Sequence, residues 1–588
     1  MIRSVRRITP LLSSLLLGVA AVSSVTVVAG TLVGCADEND PSTWVKRLDN
    51  PATTPAAVNR LVQFFEDAMT RDNKDRNGPT VKPLLDKIIE PLTQKCVAGD
   101  LDERTNSKLI KFISDTRDPR GAPCLIKALK DYRPDSTEED VRWACRAIGA
   151  MKLKEAAGPL FETFQKVRTS KPKAGAMYRD VYDAMKQVND PSWEPQLITI
   201  ISRPINDPKD IPNLRDELFW QITSAELLGL QKSEKAVEPL LKMLLSPNKS
   251  QGHMTAMLAL VKIGKPAVQP VIDLLQGNSK ELIEYSKIEQ LKSAGDKPTN
   301  EQKKAAETAH ISQSALILGT IGRADSAAPL LAALGKSTDD AAKAIIAREL
   351  SKVPKSQQTV EAFQQTYEKL PLNTAIPPGI GARETLLEAS GTFFDASFVP
   401  WIVKTALEAK GEEADVAPIR DVSLATAMKL MGPDQVAEVD KLYNKAQTGA
   451  DGKPSTVGKA FEKEYTMAKA LLGECKADPE CYLTKVSDSA NQQKDTQFKG
   501  IKAAYMMGIY GKPELRQKII DAMPKITNAA VRFVSVTAID QLSPQGDADI
   551  AQKLQAIVDE AEEKRNEEMI SANAPFKTVI YRLNARAQ

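Results

Sequence analysis

Two histidines, His253 and His310, are the whole imidazole complement of this 588-residue chain. They stand 57 positions apart in segments with helical periodicity, with no Cys or carboxylate at ligand spacing around either. A zinc site needs several such ligands, and a nucleophilic triad needs a base with an orienting partner. Both histidines therefore read as structural or surface residues. Gly-x-Gly-x-x-Gly after a strand, the phosphate-cradling Gly-x-x-x-x-Gly-Lys-Ser/Thr and Gly-x-Ser-x-Gly do not occur. One segment, Asp72-Asn73-Lys74-Asp75-Arg76-Asn77-Gly78, alternates acids and amides as a calcium loop does. Aligned on Asn73, Asp75 and Asn77, it places Leu84 where a bidentate Glu is required, so it reads as a solvated loop between helices. No catalytic residue, metal or cofactor is assigned, and the chain reads as a non-enzyme.

The cysteines carry more. Six occur, at 35, 96, 124, 145, 475 and 481. Before the first stand Arg3, Arg6 and Arg7, an uncharged run from Leu11 to Val33, and Leu32-Val33-Gly34-Cys35; Ala36-Asp37-Glu38 then turns the chain polar. A basic head, an apolar middle and small residues before a cut describe a secretory signal. The ending resembles a bacterial lipobox. That resemblance implies lipidation at Cys35 (palmitate among the acyl groups) and a mature chain held on a membrane, in the outer membrane or periplasm of a Gram-negative envelope. The 23-residue run also suits an uncleaved membrane helix. Either way the arginines stay inside and the body lies outside. In an oxidising compartment, Cys475 and Cys481, six apart around Pro479, are expected to pair.

Without residues 1–34 the chain holds 76 basic and 76 acidic side chains. A neutral body has no global field for nucleic acid, so no nucleic-acid partner is expected. Aromatics are only 5%, which favours helices packed through small and medium side chains. Trp143, Trp193, Trp220 and Trp401 fall at apolar positions and read as core.

These residues sit in a repeating frame. A proline followed by apolar positions at helical spacing recurs at Pro83, Pro123, Pro159, Pro195, Pro239, Pro270, Pro329 and Pro400, at intervals of 31 to 71 residues. Proline is tolerated in a first helical turn, so each copy reads as a helix start. Before most copies an amphipathic run ends near a glycine, as at Ile148-Gly149, Leu228-Gly229, Ile263-Gly264 and Ile321-Gly322, which reads as a helix stop. Neither helix of such a pair can bury its apolar stripe alone; stacked pairs supply the core. The units resemble HEAT repeats, and are similar to the PBS-lyase-like subclass in Val141–Phe164 and Ala225–Leu245. The expected fold is an all-α solenoid of antiparallel helix pairs, HEAT- or armadillo-like.

The expected organisation is a signal peptide over 1–34 and a flexible tether over 35–55. A solenoid follows over 56–370, with a polar insertion at 277–308, and a degenerate helical continuation over 371–588, with a loop at 447–458. Within stacked pairs, Cys124 opens one helix and Cys145 falls late in the next, which predicts a Cys124–Cys145 disulfide with Cys96 unpaired. The resemblance implies a protein–protein scaffold for other envelope proteins. Its alternative is a lyase-like or accessory subunit that binds a small ligand.

Overall fold

Proline and glycine mark out the helices, though not always in the way their spacing suggests. The computed structural model describes residues 37–171, 175, 177–205, 209–354, 357–372, 375–376, 380–447 and 456–588. Residues 1–36, with Cys35 and the signal segment, lie outside the described residues, as do 448–455 of the expected loop. No helix among the described residues is long and apolar enough to cross a membrane.

The chain divides into two compact units, residues 1–112 and 113–588. In the first are α1 (Pro41–Lys46), α2 (Thr54–Arg71) and α3 (Val81–Ala98); α4 (Glu103–Thr116) runs through the boundary. Leu61, Ile88 and Leu92 are fully buried, and Phe65 meets Phe112 edge-on at 5.2 Å. The tether expected over 35–55 is corrected here. Trp44 Nε1 donates to the Glu38 carbonyl at 2.9 Å, α1 packs on α2 and α3, and Leu48 in the turn that follows it is buried, so this stretch is folded onto the body.

In the second unit α5 (Ala122–Lys130), α6 (Glu138–Met151), α7 (Ala157–Lys166), α8 (Met177–Val188), α9 (Glu194–Ile201) and α10 (Ile211–Leu230) pack as successive pairs. Next come α11 (Val237–Leu245), α12 (His253–Ile263), α13 (Lys265–Leu275), α14 (Lys280–Ala294) and α15 (Asn300–Ile321). The polar insertion is thus α14 and the start of α15. The array continues through α16 (Ala327–Lys336), α17 (Asp340–Leu350), α18 (Gln357–Lys369) and α19 (Ala382–Ser390). Between the last two, in the proline-rich connector, β1 (Ala375–Ile376) and β2 (Ile380–Gly381) make a two-residue antiparallel ladder in an otherwise helical unit. Then follow α20 (Val399–Glu408), α21 (Glu413–Leu430), α22 (Val436–Ala446) and α23 (Thr456–Cys475). The end is α24 (Pro479–Ser487), α25 (Gln497–Tyr510), α26 (Leu515–Ala522), α27 (Ala529–Gln541), α28 (Ala548–Glu563), α29 (Glu567–Ala572) and α30 (Ala574–Ala587).

Prolines 123, 195 and 400 occupy the first two positions of α5, α9 and α20. Pro270 does not open a helix: α13 starts a turn earlier, with Pro266 in its first turn and Pro270 inside it. The glycine reading also changes. Gly149, Gly229 and Gly319 lie inside α6, α10 and α15, where a side chain would strike the next helix of the row. A Cβ on Gly229 would come within 2.6 Å of Ala259 Cα, and one on Gly319 within 2.9 Å of Glu349 Cα. These glycines set helix–helix approach rather than helix ends. Gly322, at φ +70°, is a true left-handed cap on α15.

The helices that follow each turn stack on one another as α6, α8, α10, α12, α15, α17, α19 and α21, and then α25, α27 and α30. The row returns on itself, because α30 packs on α12 and α15 as well as on α27 and α28. Within this unit the fold is therefore an all-α, HEAT-like array of stacked helix pairs whose last helix closes part of the inner layer.

Candidate functional site

The closing helix carries Phe576, Val579, Ile580 and Leu583, all buried, on one stripe. Arg582 and Arg586 lie beside that stripe, one turn apart. Arg582 donates to the Thr320 carbonyl at 3.3 Å and forms an ion pair with Asp540 of α27. Arg586 donates to the Gly322 carbonyl at 2.6 Å and the Lys352 carbonyl at 2.8 Å, just past the ends of α15 and α17. In return Arg323 reaches the Ala585 carbonyl at 2.8 Å, at the end of α30. Helix ends leave carbonyls without intrahelical partners and carry partial negative charge, so arginines dock them well.

The same device recurs deeper in the array. Lys249 donates to the Ile201 carbonyl at 2.8 Å, and Lys502 to those of Lys429 and Met431 at 2.9 and 2.5 Å. Arg532 binds the Met523 and Ile526 carbonyls at 2.6 and 2.8 Å. Burial pushes Lys502 well below the usual lysine range and Arg532 down to about 10. These cations hold helix ends; none faces a reactive partner among the described residues.

Where α12, α15, α17, α25, α27 and α30 converge lies a cavity of about 560 Å³. Its walls are mainly apolar, with Met257, Phe394, Val534 and Val579 among them. Met254 and Phe533, 61% and 51% exposed, stand in its lining and mark its mouth. Phe394 holds a left-handed backbone at φ 52° and stacks on Tyr505 with centroids 4.6 Å apart. A bulky residue rarely adopts that conformation unless its surroundings fix it. One end of the cavity is charged: Arg348 and Lys352 line it, as do Asp540 and Arg582. Glu349, fully buried, is shared by Arg348 at 3.3 Å and Lys352 at 2.5 Å. Burial draws the Lys352 ammonium below its ordinary value, against the pull of Glu349.

The residues singled out by sequence do not gather here. His253 Nε2 lies 2.9 Å from the Ser246 carbonyl. His310 is buried in α15, Nδ1 has no hydrogen-bond partner among the described residues, and desolvation lowers its pKa. No group of His, Cys, Asp and Glu among the described residues could hold a metal. In the calcium-like segment, Asp72 accepts from Thr80 N and Val81 N at 2.8 and 2.9 Å, at the start of α3, and Asp75 accepts from Asn77 N at 2.9 Å. Its carboxylates are turn and cap acceptors. Trp193 is core, donating to the Ala157 carbonyl. Trp143, Trp220 and Trp401 are only half-buried; Arg146 lies 4.9 Å over Trp143, and Arg168 4.6 Å over Trp220.

Cys475 and Cys481 are joined by a disulfide. The expected Cys124–Cys145 bridge is corrected. Cys124 and Cys96 are each disulfide-bonded, and Cys145 is a free, fully buried thiol. With the Cys124 sulfur already committed, Cys145 acts as a small apolar side chain at the α6–α8 contact. The residues that build the cavity were missed, yet one signal was present. Phe576, Val579, Ile580 and Leu583 repeat at i, i+3, i+4 and i+7 in the last turns of the chain, which calls for a partner surface.

No family model matches the chain, and no curated protein does. Solved structures similar to it include a chain from a study of a phosphorylation switch controlling the interaction between cadherin and beta-catenin. That chain is 11% identical over 93% of this one and 99% of its own length, with a TM-score of 0.25. Kap121p is 12% identical over 93% of this chain and 67% of its own, at 0.21. The karyopherin Kap121p bound to the SUMO protease Ulp1p is 12% identical over 91% and 73%, at 0.24. The fold rests on the helix packing of the chain itself.

Proposed function

We propose that this chain is an exported, lipid-anchored scaffold without catalytic activity of its own, which binds other proteins of the bacterial envelope. The lipobox-like ending at Cys35 supports the anchor. The observation that carries the binding role is the exposed part of the inner layer on α6 and the start of α8. The closing helix packs further along the row, on α12 and α15. On α6, Arg142 and Arg146 both reach Asp180 of α8, at 2.8 and 2.9 Å, with Trp143 half-exposed beneath Arg146. Tryptophan and arginine in one patch are the residue types on which protein interfaces concentrate their binding energy.

The test is a photoreactive benzoylphenylalanine at Arg146 in the full chain, in living cells, with Glu162 on the opposite layer as the control position. A discrete adduct from Arg146 alone is the expected result. Equal smears from both positions would end this reading. For the anchor, the mature N-terminal peptide should begin at an acylated Cys35; an unmodified segment 1–34 in mature protein would refute cleavage. A second reading, an accessory subunit that binds a small ligand, is favoured by a separate observation, the half-open, mainly apolar cavity.

A further inference from the structure

We propose that the half-open cavity walled on one side by α30 binds a single-chain anionic amphiphile, a long-chain fatty acid as its carboxylate. In this site the alkyl chain lies among Met257, Phe394, Val534 and Val579, and the head group meets Arg348 and Lys352. The inference deepens the ligand-binding reading and is independent of the scaffold, whose partner patch on α6 would survive its failure.

Three observations carry it. The first is size and lining. About 560 Å³ of largely apolar space lies within the range of small-molecule sites, roughly 300–1,000 Å³. Methionine is the side chain best able to follow a flexible chain, and Met254 and Met257 both line the space.

The second is the mouth. Phe533 is the one aromatic among the strongly exposed large apolar side chains of the described residues, and Met254 is the most exposed of that set. Both line this cavity. An entering chain would cover them.

The third is charge. Arg348, Lys352, Arg582 and Asp540 line the polar end, with Arg586 and Glu349 paired to them from behind: Arg348 and Lys352 share Glu349, and Arg582 and Arg586 share Asp540. Asp540 is saturated by Arg582 and Arg586, and both are further held by backbone carbonyls. Glu349 is divided between Arg348 and Lys352. One positive charge is therefore left at each acid; at Asp540 both arginines are taken up by carbonyls, so the charge open to a ligand is on the α17 side. Arg348 touches Glu349 through Nε only, so among the described residues its terminal nitrogens are left for a ligand. A guanidinium fork beside an ammonium suits one carboxylate. A cationic ligand would meet repulsion there, and a neutral one would leave the excess unanswered.

The experiment uses the full-length protein in amphipol and palmitic acid carrying a diazirine on its chain, with labelled residues mapped by mass spectrometry. Labelling should fall on Met254–Leu258 and Phe533–Thr537, and unlabelled palmitate should compete at least about tenfold better than 1-hexadecanol. Arg348→Gln should weaken labelling by about tenfold, the size expected for loss of one charged hydrogen-bonding partner. Thr537→Trp, which fills the cavity, should abolish it. If Thr537→Trp fails to fold, Arg348→Gln decides, because Arg348 is half exposed and its loss does not open the core. Labelling scattered over other segments, hexadecanol competing as well as palmitate, or unchanged labelling in Arg348→Gln would each overturn the proposal.

Discussion

Arg586 and Asp540 meet twice: Arg586 Nη1 donates to Asp540 Oδ1 at 3.0 Å and to the Asp540 carbonyl at 3.1 Å. Asp540 is fully buried and its other oxygen takes Arg582, so one carboxylate is shared by two guanidinium groups at the closure of the inner layer. Those arginines then reach the ends of α15 and α17, 264 and 234 residues upstream in the case of Arg586. One acid thus fastens the chain end to the middle of the array.

Removing it should unfasten the helix. Asp540→Ala leaves two buried arginines without a counter-ion, and breaking a buried pair costs roughly 3–5 kcal/mol. Thermal melting should fall accordingly, and limited trypsin should cut early at Lys564 or Arg565, between α28 and α29. The double variant Asp540→Ala/Arg586→Ala should lose less than the sum of the singles, since part of each loss is the stranded partner. Strict additivity would show that the pair does not hold the closure.

The glycines inside the helices give a second contrast. Gly229→Ala places a methyl 2.6 Å from Ala259 Cα, where only backbone movement can relieve it. Overpacking of that kind costs about 1–3 kcal/mol, enough to outweigh the better helix propensity of alanine. Gly158→Ala in α7 meets nothing within 4 Å and should be neutral or stabilising by up to about 1 kcal/mol. Urea unfolding should show a loss for Gly229→Ala and none for Gly158→Ala; the same loss in both would refute the close-packing role.

The helix pairs were legible because proline in a first turn and apolar residues at helical spacing are local signals. Pro123, Pro195 and Pro400 stand where their sequence context places them. Gly149 and Gly229 misled because a glycine that ends a helix and one that admits a neighbouring helix look alike in one dimension; only Ala184 and Ala259 across the contact tell them apart. The closure was illegible for a related reason. Nothing in the sequence tells Arg582, Arg586, Lys249 and Lys502 from solvated charges, since the carbonyls that receive them belong to helix ends tens to hundreds of residues away. Cys145 was paired wrongly because stacking alone does not say which sulfur is already committed.

Lys249 predicts a pH dependence. Its ammonium is buried, donates to the Ile201 carbonyl, and is pushed down by desolvation to about 8, with Glu217 and Glu289 only partly opposing. Below that value the group is charged in both folded and unfolded chains, and the desolvation cost is felt in full. From about 8 to 10.5 the unfolded chain binds the proton more tightly, so stability gains from this group as pH rises through that window. The unfolding free energy of the wild type minus that of Lys249→Met should therefore become more positive from pH 8 to pH 10. A signed difference that stays flat or becomes more negative would contradict the assignment.

The cysteines close the set. Cys145 is fully buried and desolvation raises its thiol far above the ordinary range, while the Asp180 charge adds to the shift. A thiol held protonated and out of solvent does not alkylate. Iodoacetamide should leave Cys145 unmodified in the native protein and carbamidomethylate it fully after denaturation, as peptide mapping would read. Cys475 and Cys481 should resist in both states until reduced, since they are joined. Cys475→Ser, opening a loop of sequence separation 6, should cost about 2 kcal/mol by loop-closure entropy, seen as a lower urea midpoint. Native labelling of Cys145 would mean that α6 and α8 part readily, and the tight row of inner helices would have to be given up at that contact.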